Sequence, residues 1–339
     1  MMKPGTGSGT SAAKSQRSGI AAIVSRFGIV LVLVALVVVL SMMSSAFLTP
    51  RNLLNVLAQV APAGIVACGA ALVIIAGGFD LSAGAIFAIS GIVAAYLANT
   101  TAAVVAIAAG ASAGLLLGVV NGGVITLFGI NSFIATLATG FIFRGVATMI
   151  TGGFLIGVNN PTFSALGNMR VFTVPIPVYV FAGVAIVTGL LLSQTKLGRY
   201  VYATGGNAEA ARLSGVRVDL VRVATYAISG LCAGIGGVIF ASRVSTGQAD
   251  AGTGLELTVI AAVVVGGISI KGGEGSIWRA VVGVLLIALI GNGFNILNIN
   301  PFYQSIAQGL IILVAVAVDS RSGGLAHQYL RRLRRGGVK

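Results

Sequence analysis

The sequence predicts an all-α membrane protein: a polytopic helical bundle of about ten spans, with eight as the other reading, and both termini cytoplasmic. Three observations predict it. Hydrophobic residues make up 57% of the 339 residues and charged residues only 8%, against roughly 25% charged in a soluble domain. Mean hydropathy is +1.03. Several apolar runs reach the about 20 residues a helix needs to cross a bilayer, whereas a β-barrel would show short alternating segments.

In order, residues 1–25 read as a disordered cytoplasmic tail, rich in Gly, Ser, Thr and Lys. The region 26–320 reads as one transmembrane domain. Its apolar runs lie at about 27–46, 53–76, 82–98, 102–127, 132–150, 175–193, 222–242, 255–270, 280–297 and 303–319. Ser44-Ser45-Ala46 after the first run would suit cleavage of a secretory leader, but that run is long and many more follow. The run at 255–270 is short for a crossing and could be re-entrant. Residues 321–339 read as a basic cytoplasmic tail, with the single His327 solvated in it.

Charge tests this layout. With the N-terminus inside, 17 of the 21 cations fall on the inner side; only Arg51, Arg144, Arg170 and Arg243 do not. That is a strong positive-inside bias. The net charge of +14 then reads as topology signal and attraction to anionic lipid, not as a nucleic-acid surface. The 49 glycines suit close helix packing in lipid, notably over 110–123. Cys68 and Cys232 sit in apolar runs and read as packing residues, with no metal or disulfide expected.

One polar stretch interrupts the runs. Residues 194–222 carry five cations and two of the seven acids, and include Gly206, Asn207, Glu209, Ala210, Ala211, Arg212, Ser214 and Gly215. Asn207 can cap a short helix with Glu209 in its first turn, and Gly215 can end it. The result is a helix of about two turns standing off the membrane, either docking a partner or lying free at the interface.

Weaker signals follow. Residues 76–84 echo 265–273, and Asn121-Gly122 echoes Asn292-Gly293, as a degraded repeat or by chance. Asp80 can cap the helix starting near Ser82, and Thr253 with Glu256 fits a capping box; a gating role is the other reading. Asn121, Asn131, Ser132, Thr136, Asn292, Asn295 and Gln304 are candidates for a polar path, and equally for hydrogen bonds between helices. The longest outer segment, 151–173, holds Asn159, Asn160, Pro161, Phe163 and Arg170 and could seat a partner. Lys271 is followed by Gly272, so no phosphate-binding loop Gly-x4-Gly-Lys-Ser/Thr is present. No catalytic triad can be assembled.

Several of these strings carry a resemblance. Gly77 to Gly84, Asn121-Gly122 with 133–137, the 206–215 loop, the segment 254–267 and Asn292-Gly293 resemble the membrane permeases of ABC importers for monosaccharides, the ribose type. The likeness covers about 50–320. It implies a homodimer in the bacterial plasma (inner) membrane, a cytoplasmic ABC ATPase that binds ATP and Mg, and a periplasmic or extracellular sugar-binding protein. It also implies that 206–215 is the coupling helix and that no cofactor sits on this chain. The alternatives are an ion- or proton-coupled secondary transporter, a channel, or an ABC permease for another solute such as branched-chain amino acids.

Overall fold

The computed structural model describes residues 28–300 and, with gaps, 302–313. The expected tails, His327, ten of the cations and most of the last run lie outside the described residues.

Nine helices occupy the first nine apolar runs: α1 (Gly28–Met43), α2 (Pro50–Ile75), α3 (Ala83–Ala98), α4 (Ala103–Phe128), α5 (Ser132–Thr151), α7 (Ile176–Gln194), α10 (Val218–Val244), α11 (Leu255–Val265) and α12 (Ile277–Ile296). Between them lie the short helices α6 (Pro161–Asn168), α8 (Lys196–Gly206) and α9 (Ala208–Leu213). Four two-residue strands pair into β1 (Ile156–Gly157) with β4 (Thr246–Gly247), and β2 (Arg170–Val171) with β3 (Val174–Pro175). Among the described helices, α2, α4, α5, α7, α10 and α12 are long and apolar enough to cross a membrane. α11 has 11 residues, about 16 Å of helix against a hydrocarbon core of about 30 Å.

α10 is the centre, packed on α2, α3 and α4. The α4 interface is made by Gly110, Gly114, Gly118 and Gly122, one per turn on a single face. A Cβ at Gly114 would collide with the Gly230 carbonyl, and one at Gly118 with the Tyr226 carbonyl. Backbones therefore touch directly, the association mode expected where lipid removes any hydrophobic drive. Gly123 faces open space. Cys68 and Cys232 are buried where α2 meets α10, beside Gly69.

Pro62 sits inside α2. Proline has no N–H, so the carbonyl four residues earlier loses its partner. Arg243 supplies one: its Nη1 donates to the Ala58 carbonyl at 2.7 Å.

The loops gather at two ends. At the first, the Gly273 N–H donates to the Ile75 carbonyl (2.8 Å) and Tyr202 Oη to the Gly275 carbonyl (2.7 Å). This joins the end of α2, the segment 196–217 and the segment 266–276. At the second, Val158 N–H donates to the Ser245 carbonyl (2.9 Å) and Asn160 Nδ2 to the Ala98 carbonyl (2.9 Å).

Two of the apolar runs are interrupted before their short helices begin. Residues 76–82 turn back into the bundle before α3 starts. Asp80 there reaches Ser229, the twelfth of the 27 residues of α10. From the opposite end, 245–254 dives along α3: Gly247 lies on Ile92 and Ala95, Gly252 on Phe87 and Gly84. Only then does α11 begin.

The same plan thus occurs twice in opposite directions. A long helix, an irregular segment carrying an aspartate, a short helix and a helix bearing Asn-Gly make up α2, Asp80, α3, α4 and again α10, Asp250, α11, α12. The expected pairing of 76–84 with 265–273 is not this correspondence. Those two strings are both helix C-termini. Gly77 (φ +81°) and Gly267 (φ +88°) turn left-handed, and Gly78 and Ile268 N–H reach back to Val73 and Val263. A shared termination chemistry made them look alike.

Candidate functional site

The segment 76–82 is held by side chains from three helices. Asp80 is 3% exposed. Its Oδ1 accepts from Ser82 N–H (3.1 Å) and Ser82 Oγ (2.6 Å), and its Oδ2 from Ser229 Oγ (2.9 Å). Asn121 Nδ2 donates to Ser82 Oγ at 2.6 Å. Thr136 Oγ1 accepts from Leu81 N–H, Ser132 Oγ accepts from Phe79 N–H, and Tyr226 Oη donates to the Phe79 carbonyl. Irregular backbone at membrane depth must be satisfied inside the protein, and these residues do it. Asp80 accepts the N–H at the start of α3, whose N-cap position is Ser82 and has no side-chain cap of its own.

Asn121, Thr136 and Ser132 thus hold a segment in place. Asn131 accepts from Phe133 N–H (2.9 Å) as the cap of α5, beside a hollow of about 360 Å³ at the first end. Asn292 and Asn52 form a reciprocal amide pair at 2.9 and 3.0 Å. Asn292, Asn295 and Gln304 line a pocket of about 210 Å³ between α2, α11 and α12.

The capping box at α11 does not form. The N-cap is Gly254 (φ +75°), and no side chain caps it. Gly252 and Gly254, both left-handed, flank Thr253, whose hydroxyl turns back to the Asp250 carbonyl (2.6 Å). Glu256 in the first turn of α11 is released from capping. Its Oε2 is buried without a partner among the described residues and presses on Gly84.

Glu256 lines a cavity of about 680 Å³ between α3, α5 and the segment 249–256. Arg144, Thr148, Asp250, Thr253, Phe141 and Phe154 line it too. Arg144 Nη1 donates to the Ala249 and Ala251 carbonyls at 2.5 and 2.7 Å. Arg144 and Asp250 were missed as site residues in the sequence. The signal was there for Arg144: it is the lone charge inside the run 132–150, and an intramembrane charge of either sign marks function.

The polar loop at the first end is ordered. Thr195 caps α8, whose Gly198, Val201 and Thr204 are buried. Asn207 ends α8 and caps α9, accepting from Ala210 N–H at 2.9 Å. Gly215 (φ +85°) and the Val216 N–H bond to the Ala211 carbonyl close α9. The helix has six residues, close to the expected two turns. Ala211 is buried while Gly206, Asn207, Glu209, Ala210, Arg212, Ser214 and Gly215 are exposed. Arg212 pairs with Asp219 at 3.2 Å in solvent. Leu213 is 86% exposed. Behind α9, a Cβ at Gly205 would strike the Ile75 carbonyl, and Gly272 lies on Gly77. Burial pushes the Tyr202 phenol up, with Arg279 pulling it partly back, so it stays a donor to Gly275.

The segment 151–173, expected on the outer side, is also anchored. Asn160 caps α6 through Thr162 and Phe163 N–H, Phe163 is fully buried, and Asn159 N–H donates to Asn99 Oδ1. Arg170 Nη2 reaches Asn55 (3.3 Å). The β2–β3 hairpin presents Phe172, 91% exposed, at its tip.

Comparison with known proteins agrees over most of the chain. Residues 52–316 match the family described as branched-chain amino acid transport system / permease component. The ribose import permease protein RbsC of Escherichia coli (strain K12) is 39% identical over 294 residues, 85% of this chain and 92% of the relative. The L-arabinose transport system permease protein AraH of the same strain is 40% identical over 313 residues, 92% and 95%. RbsC of Bacillus subtilis (strain 168) is 39% identical over 302 residues, 88% and 94%. No solved structure matches the chain.

Proposed function

Because the chain belongs to the family of branched-chain amino acid transport system permease components, we propose that it is the membrane permease of an ATP-driven importer for a monosaccharide, ribose-like, in the bacterial plasma membrane. One observation carries the reading. Identity of about 40% to ribose and arabinose permeases runs through nearly the whole of both chains, so the solute class of those relatives transfers better than the amino acid in the family's description. The working unit is two copies of this chain with a cytoplasmic ATPase and an external binding protein. ATP and Mg act on the ATPase; this chain carries no phosphate-binding loop.

Charge supports one topology: Lys196, Arg199, Arg212, Arg217, Arg222, Lys271 and Arg279 lie at or near the first end, the pattern of a cytoplasmic face. The irregular segments 76–82 and 245–254 complete the crossings of α3 and α11. With α1 and the apolar run 303–319 counted as crossings, the reading is ten crossings with both termini cytoplasmic.

The segment 206–215 is the coupling element. It is exposed, carries Leu213 as an apolar knob, and is tied through Gly205 to the end of α2. The test is uptake of labelled ribose and arabinose into vesicles holding the permease with its ATPase and binding protein. ATP-dependent uptake is expected, and charge reversal at Glu209 or Arg212 abolishes it while leaving the permease folded. Vesicles with the permease alone that concentrate sugar, or a complex that takes up leucine and no pentose, would overturn the reading.

A further inference from the structure

We infer that the cavity between α3, α5 and 249–256 is the station where the solute rests during passage, and that Glu256, Asp250 and Arg144 select an uncharged, unphosphorylated polyol there. The inference rests on the importer reading.

Position comes first. Irregular backbone at membrane depth persists only where protein buries it or where it lines an aqueous cavity. Both irregular segments reach this cavity, 76–82 through Leu81 and 249–254 through Ala249, Asp250 and Thr253. Two short helices, α3 and α11, begin at this level, and their first turns meet where Gly84 touches Glu256. The first-turn N–H groups of both helices are free of intrahelical partners. Interrupted helices that begin at a midplane site recur in transporters, where their N-termini face anionic groups; here Glu256 in the first turn of α11 is that anion.

Chemistry comes second. Asp250 and Glu256 make no side-chain hydrogen bond among the described residues, and only one Arg144 nitrogen does. A polyol brings both donors and acceptors, so each hydroxyl can meet a carboxylate oxygen or a guanidinium N–H. Phe141 and Phe154 offer apolar faces to its C–H groups. Two carboxylates against one guanidinium repel a phosphate. The volume, about 680 Å³, lies within the roughly 300–1,000 Å³ of small-molecule sites. The amide pocket at Asn292 is smaller, and its best amide is spent on Asn52.

The test uses the full complex in vesicles. Glu256→Gln is expected to lower pentose uptake efficiency about tenfold, the scale of one charge-assisted hydrogen bond, and to change the ratio of ribose to arabinose uptake, which a purely structural role would not move. Co-purified ATPase reports assembly. Should that variant fail to assemble, Phe154→Cys gives a second readout: pentose present during turnover should slow its labelling by an impermeant maleimide several-fold, and a sugar phosphate should not. Pentose uptake indifferent to Glu256→Gln, or labelling indifferent to pentose in a transporting complex, overturns the station and keeps the importer. Labelling slowed by pentose in a complex that takes none up keeps the station and overturns the importer.

Discussion

The two irregular segments that precede α3 and α11 solve one problem in opposite ways. Before α3, the irregular segment is saturated: Asp80 accepts three hydrogen bonds, and Asn121, Ser132, Thr136 and Tyr226 engage the rest. Before α11, the backbone is held by Arg144, but Asp250 and Glu256 keep their oxygens unspent beside a cavity. The difference teaches that an acid near mid-membrane is not of itself a functional group. What its oxygens already hold decides whether it is masonry or a site.

Four substitutions would break or sharpen that contrast. Asp80→Ala strips three buried bonds and should cost about 3 kcal/mol or more, seen as lost folded protein in detergent; near-normal melting would equate the two segments. Gly84→Ala forces a Cβ into Glu256 Oε2 and the Gly252 carbonyl. It should cost about 1–3 kcal/mol and reduce uptake, because both segments meet there. Asn121→Ala should cost about 1 kcal/mol, since it removes one bond to Ser82 but also an unpartnered buried Oδ1. Asp250→Ala should leave melting within about 0.5 kcal/mol of wild type while uptake falls; a large loss of stability would make this segment as structural as the other.

Much of the fold was legible. Apolar runs located nine helices because lipid demands continuous hydrophobic length, and the glycines at 110–122 gave a packing face because their spacing is one turn. The Asn207 cap and the Gly215 stop were readable because caps are local chemistry. The capping box at Thr253 was not, because the left-handed glycines on both sides override a local pattern, and a φ sign is invisible in a string of letters. Asn121 and Thr136 were readable as polar but not as partners of a loop 39 to 55 residues away. Arg243 was read as an outer-side cation; its task of satisfying Ala58 exists only because Pro62 lies across the interface.

At Gly77, Gly205 and Gly272 three stretches of main chain touch with nothing between them. Side chains absorb a small displacement by changing rotamer; bare peptide planes have no such play. A push delivered to α9 would therefore reach the end of α2 without backlash, and one methyl group at Gly205 would wedge the linkage apart.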